Sequence, residues 1–298
     1  ADGTTEIGTY SIDSATGRVT FTPTDKSYTG VVTPAKVQAE SSNGIKVDTT
    51  YTPEIVPVTP TATPAETTDI QGATQTGKPE FKGGTVTVDG VEKTVAINED
   101  VPATFDDGST TKTVDGVGTY TVAADGTVTF VPEPSFTGTA PAVTVVREDM
   151  NGTKASATYT PSVTPITITP TDKVSADVQN VPQTQTPTFD LSNDKTAEIT
   201  SKKLVDPATG QPTDETSVTV AGEGTYTIDP TTGAVTFTPE KDFVGTATGV
   251  TVQATATITN ADGKTATITS DATYTPTVVA AVPTAKPATS KDIQGATQ

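Results

Sequence analysis

The sequence carries one four-part signal three times in fixed order, and this repetition constrains its fold more than any other feature. Gly8-Thr9-Tyr10, Gly118-Thr119-Tyr120 and Gly224-Thr225-Tyr226 stand 110 and then 106 residues apart. Each is followed by Val19-Thr20-Phe21, Val128-Thr129-Phe130 or Val235-Thr236-Phe237. Next come Tyr28-Thr29-Gly30, Phe136-Thr137-Gly138 and Phe243-Val244-Gly245. The unit closes on Thr50-Tyr51-Thr52-Pro53, Thr158-Tyr159-Thr160-Pro161 and Thr273-Tyr274-Thr275-Pro276. A solenoid unit spans roughly 20–50 residues, so this longer period marks a whole domain in a tandem array.

The signals have the period of strands. Tyr10 and Ile12 alternate with Thr9 and Ser11, and Val19 and Phe21 with Thr20 and Thr22; Tyr226, Ile228, Val235 and Phe237 repeat the arrangement. Alternation at period two puts one row on a core and leaves the threonines in water. The intervening turns, at 13–17, 123–126 and 229–233, end in Gly, and a second hairpin turns at Asn43-Gly44, Asn151-Gly152 and Asp262-Gly263. Composition agrees. Thr makes up about a quarter of the chain and Leu occurs only at Leu191 and Leu204, which favours pleated strands and excludes an all-α protein. Leu, Ile, Val and Phe together reach only about 19% of the residues, a level bordering on disorder, so the ordered pattern is what argues for folding. The fold class is therefore all-β, in immunoglobulin-like sandwiches that lack the Cys…Trp…Cys signature of antibody domains.

Boundaries follow from Pro and Thr. After each Thr-Tyr-Thr-Pro comes a segment such as 54–64, then Asp69-Ile70-Gln71-Gly72-Ala73-Thr74-Gln75, and this last string returns at 292–298. Pro-rich stretches read as short, extended, fairly stiff linkers. The expected organisation is the C-terminal part of a first repeat at 1–57, complete sandwiches at 66–165 and 174–280, and a linker with the start of a fourth repeat at 283–298. The first segment lacks the portion corresponding to Phe81–Gly118 and Phe189–Gly224, so it is expected to be the least stable.

Several function classes fall away on composition. The chain has no His and no Cys, which removes Ser-His-Asp and Cys-His nucleophiles, thiolate metal sites and disulfides. A net charge of −18 disfavours nucleic acid and anionic membrane surfaces. No apolar run is long enough to insert in a bilayer as a helix. The start, Ala1-Asp2-Gly3, has no basic or apolar leader run.

The four signals and the Gly-Ala-Thr-Gln string resemble the CshA-type fibril repeat of Gram-positive, mainly streptococcal, cell-wall-anchored surface adhesins. The most specific stretch runs from Gly224 through Asp229-Pro230-Thr231-Thr232-Gly233 to Pro239. The sequence is also similar to bacterial immunoglobulin-like and cadherin-like surface repeats, which share a Phe-x-Gly after the second strand. The resemblance implies tandem immunoglobulin-like/cadherin-like β-sandwich repeats joined by short Pro/Thr-rich linkers, forming a stalk that projects an adhesive head from the cell wall. It implies an extracellular location, with the head, export signal and sorting signal lying in regions outside this sequence. Neighbouring repeats of the same chain are the expected direct partners of a monomer, and host or bacterial ligands would bind through those other regions. The alternative is an array whose repeats grip a host glycoprotein or another surface chain directly, by strand addition. The diverged segment 174–187, without Gly-Ala-Thr-Gln, departs from the pattern.

The remaining candidates for chemistry are few. Glu99-Asp100, Asp106-Asp107 and Glu148-Asp149 are adjacent carboxylates, which in a strand point to opposite faces and cannot share a substrate. Asp106-Asp107-Gly108 and Asn260-Ala261-Asp262-Gly263 hold calcium-type residues but lack the full loop pattern, and turn chemistry accounts for them. A Lys–Asn isopeptide would need a buried Lys, a facing Asn or Asp and an acidic helper, whereas the recurrent Asn43, Asn151 and Asn260 fall in hairpin turns. Tyr10, Tyr120 and Tyr226 could line a ligand groove but read better as core. No enzyme activity, cofactor, metal or catalytic residue is expected.

Overall fold

A computed structural model describes residues 6–297, and the described residues are all strand, turn and loop, with no helix. The chain divides into two compact units, residues 6–165 with 260–264 and residues 166–259 with 265–297. In the first, the second repeat is a two-layered sandwich. One sheet orders Thr111–Val114, Gly118–Val122, Val128–Pro132 and Gln75–Gly77. The other joins Thr104–Phe105, Val143–Glu148 and Lys154–Thr164; Gly138–Thr139 pairs antiparallel with this last strand and Ala65–Ile70 runs parallel to it. Phe105, Tyr120, Val128, Phe130, Val145 and Tyr159 fill the space between the layers, all fully buried.

The second unit holds the third repeat on the same plan. Gln183–Gln185, Val235–Pro239, Gly224–Ile228 and Ser217–Val220 form one sheet. Lys173–Val178, Thr265–Val279, Val250–Thr259 and Ala197–Asp206 form the other, with a register shift between Ile199 and Ser201. Leu204, Tyr226, Val235, Phe237, Val252 and Tyr274 make its core. Residues 6–57 form two rear hairpins, Gly8–Ile12 with Val19–Pro23 and Ala35–Glu40 with Lys46–Tyr51, and a short pairing of Gly30–Val31 with Glu54–Ile55. Among them Val32 alone is fully buried.

The recurring motifs have identifiable physical causes. Tyr10, Tyr120 and Tyr226 sit directly across from Phe21, Phe130 and Phe237, with ring centroids 4.9, 4.6 and 4.6 Å apart. The glycine two residues before each Tyr is the floor on which that Phe lies. A Cβ on Gly118 would come within 2.8 Å of the Phe130 ring and 2.4 Å of the Val131 carbonyl, and one on Gly224 within 2.6 Å of the Phe237 ring. The glycine of the third signal answers a backbone need instead: Gly30, Gly138 and Gly245 have φ of 110°, 96° and 125°, where a side chain is strained.

The linker reading of 69–75 and 174–187 needs correction. Ala65–Ile70 pairs residue by residue with Tyr159–Thr164, and Lys173–Val178 with Tyr274–Val279. Ala65–Ile70 and Lys173–Val178 contain no Pro, and each is a paired strand of its sheet rather than a free connector. Gln75 is itself buried, at 3% exposure. Its Nε2 donates to the Ser162 carbonyl at 2.9 Å, and its Oε1 accepts from Thr67 Oγ1 at 2.6 Å. Thr67 Oγ1 is also 2.7 Å from the Tyr159 hydroxyl. Since Thr67 has one proton, spent on Gln75, Tyr159 is the donor in that contact. Gln183, Ser175, Tyr274 and Thr277 rebuild the same chain in the third repeat. The segment that diverges in sequence thus keeps the one side chain its sheet requires.

Candidate functional site

The structure gives most of the candidate carboxylates a local task. Asp107 Oδ1 accepts from the amide and hydroxyl of Ser109 at 2.9 and 2.6 Å, and Lys112 pairs with both Asp106 and Asp107. Asp149 is buried while Glu148 beside it is half-buried; Asp149 Oδ1 accepts the amides of Asn151 and Thr153, both at 2.9 Å. Asn260 Oδ1 does the same for Asp262 and Lys264 at 3.1 Å each. These are three-residue hairpin loops capped by a side chain, with Gly152 and Gly263 at φ of 82° and 75°. Asp100 lies in an exposed turn where its amide donates to Asn98 Oδ1 at 3.1 Å. Among the described residues no three acidic side chains converge as a metal site would require.

The recurrent tyrosines are interior. Tyr120 and Tyr226 are fully buried, and the Tyr120 hydroxyl donates to the Pro141 carbonyl at 2.7 Å, as Tyr10 does to Thr33 at 2.6 Å. In the third repeat Gly249 follows the corresponding carbonyl, and the Tyr226 hydroxyl has no hydrogen bond of good geometry. The nearby Gly249 amide opposes the rise in its pKa only weakly.

One cluster was not singled out by sequence reasoning. A polar cleft of about 550 Å³ in the second repeat is lined by Lys78, Pro79, Phe81, Glu99, Asp125 and Arg147, together with Glu80 and Lys82. Arg147 is only 7% exposed, yet its partner Glu99 is mostly in water. Nη2 of Arg147 donates to Glu99 Oε2 at 2.9 Å and, less closely, to the Asn98 carbonyl at 3.4 Å. Lys78 meets Asp125 at 2.7 Å beside it. The Arg147 guanidinium holds the Glu99 carboxyl below its usual pKa, chiefly by hydrogen bonding, and the Lys78 ammonium does the same for Asp125. The signal for this cluster was a lone Arg on the inward row after Val143 and Val145, in a chain with two arginines.

These shifts set a pH profile. The depressed carboxylates Glu99, Asp106, Asp125 and Asp229 contribute stability that is present above about pH 4 and lost as pH falls through their folded values. Burial raises the pKa of Tyr120 and Tyr226, so their contribution is present below about pH 10 and lost above it. No side chain with an ordinary pKa in that interval is present, since His and Cys are absent. Thermal unfolding followed by circular dichroism is expected to show a flat Tm from about pH 5 to 9, falling on both sides. A sigmoidal change centred near neutrality would contradict this.

Fold and site together define a class: tandem all-β sandwich repeats of immunoglobulin-like or cadherin-like type, with their recurrent residues in the interior. The family model for the surface adhesin CshA repetitive domain matches residues 3–55, 57–163 and 165–278. The chain belongs to this family, and it is a repeat region of a cell-surface adhesin. No curated protein matches it. Among solved structures, the titin domains Z1Z2 in complex with telethonin are 12% identical, covering 75% of this chain and 98% of that one, with a TM-score of 0.35. Mouse cadherin-23 EC22-24 is also 12% identical, covering 91% and 82%, with a TM-score of 0.32.

Proposed function

We propose that the chain is a non-enzymatic stalk segment of a fibrillar adhesin, anchored at the cell wall, whose repeats space an adhesive head from the surface. One observation supports this above others: the large side chains that recur in the two complete copies are mostly buried. Gly118, Tyr120, Phe130 and Tyr159 and their counterparts in the third repeat serve ring packing and buried hydrogen bonds, and the exposed Gly138 serves a turn. An array that gripped a ligand with every repeat would repeat an exposed feature, and the outward positions of these strands are mostly Thr, which keeps a strand soluble. The high acidic charge keeps neighbouring stalks apart. Domain edges near 57, 66, 165, 174 and 280 complete the proposal.

The test is to insert extra copies of residues 165–278 into the surface-displayed protein. A stalk predicts that an N-terminal tag moves away from the wall by a constant step per copy while adhesion stays unchanged. Adhesion rising in proportion to copy number would sink the stalk reading in favour of direct binding.

A further inference from the structure

Arg147 occupies a position that the other copies keep apolar. It lies two residues before the turn cap Asp149 and pairs with Ala155; Ala39 and Ile258 stand at the same place, paired with Val47 and Ala266. Burying a guanidinium costs several kcal/mol unless it is fully paired. Here pairing is incomplete: Nε is buried without a partner, and Nη1 reaches Glu99 Oε1 only at 3.4 Å. The anion facing it is held by a side chain 74% exposed, so it is readily exchanged. The Arg147 stem and the edge of the half-buried Phe81 ring lie within 3.6 and 3.7 Å of one point above Gly126, side by side on one wall of the cleft.

We propose that this cleft is a binding site for a singly charged acidic sugar, of the uronate or sialate type, whose carboxylate takes the place of Glu99 on Arg147. The guanidinium fork matches a carboxylate in two parallel hydrogen bonds. The half-buried Phe81 ring offers an apolar face to a pyranose ring, with the buried Pro79 behind it. Lys78 and Lys82 can donate to ring hydroxyls and Glu80 and Asp125 can accept from them. The same two carboxylates repel a multiply charged phosphate, which favours a single negative charge. A peptide carboxylate would bring side chains needing apolar walls that Phe81 alone does not supply. The site goes beyond the stalk role and belongs to the second repeat only, since Ala39 and Ile258 cannot rebuild it.

The test is a nitrogen-15 NMR titration of the whole chain with glucuronate and with N-acetylneuraminate, using glucose and acetate as controls. Saturable shifts are expected at the amides of 78–82 and 98–100 and at Arg147 Nε with the acids, and none with glucose. Arg147→Ala, the residue of the first copy, should abolish them. Glu99→Gln removes the competing anion and should tighten binding severalfold, an effect that a purely structural ion pair does not give. No saturation by either acid at tens of millimolar overturns the proposal, as does weaker binding to Glu99→Gln. Acetate binding as well as the sugars would reduce the site to an adventitious ion only. A short peptide binding through its C-terminal carboxylate more tightly than either sugar would overturn the ligand class.

Discussion

Phe237→Ala is expected to unfold the third repeat at body temperature while leaving the second intact. Phe237 is fully buried, lies 4.6 Å from Tyr226 and 6.3 Å edge-on from Phe243, and roofs the backbone at Gly224. Truncating a buried Phe costs about 3–5 kcal/mol, against a total of roughly 5–15 kcal/mol for a domain of ordinary stability. The margin here is narrow, because the apolar content is low and no disulfide helps. Phe21→Ala in the first copy removes the same atoms from a half-exposed site and should cost roughly 1 kcal/mol. Hydrogen exchange on each variant separates the outcomes. Loss of protection spreading into residues 104–164 would show that the repeats unfold as one cooperative body.

The second large effect is between two hairpins of nearly the same sequence. Gly8–Pro23 and Gly224–Pro239 share their register, from Gly paired with Pro to Ile paired with Val. What differs is cover. Ile228 is 7% exposed and Val235 and Phe237 are fully buried, whereas Ile12 is 54% exposed. Local propensity is equal, so burial alone sets the difference in opening free energy. Amides of 8–22 are expected to exchange roughly a thousandfold faster than those of 224–238, which corresponds to about 4 kcal/mol of opening free energy. Equal protection would show that the rear hairpins make a self-sufficient domain.

Both hairpins could be read from the sequence because their information is local: period-two rows, a Gly-ended turn and an aromatic pair within about a dozen residues. The parallel strands could not. Ala65–Ile70 finds its partner at Tyr159–Thr164, far along the chain, and its Thr and Glu residues carry no apolar alternation. Gln75 looked like part of a connector because a polar residue in a Thr-rich stretch carries no mark of burial. Its bond to the closing strand exists only once Ser162 arrives. Tyr120 and Tyr226 were legible as core because large aromatics on an inward row have few other uses. Arg147 was hidden for the opposite reason: charged residues are usually outside, and only the register reveals that this one is not.

The parallel pairing of first and last strands has a mechanical consequence. In a repeat whose opening strand runs parallel to its closing strand, the chain enters at one end of the pair and leaves at the other. A pull on the two ends therefore slides Ala65–Ile70 along Tyr159–Thr164 in shear, loading six residue pairs together rather than peeling them one by one. Lys173–Val178 and Tyr274–Val279 repeat the arrangement with six more. The Gln75 and Gln183 side chains, bonded to carbonyls of the same closing strands, act as pins across that slip plane. A domain of modest equilibrium stability can in this way resist a pull along its chain, because the force must break these hydrogen bonds together.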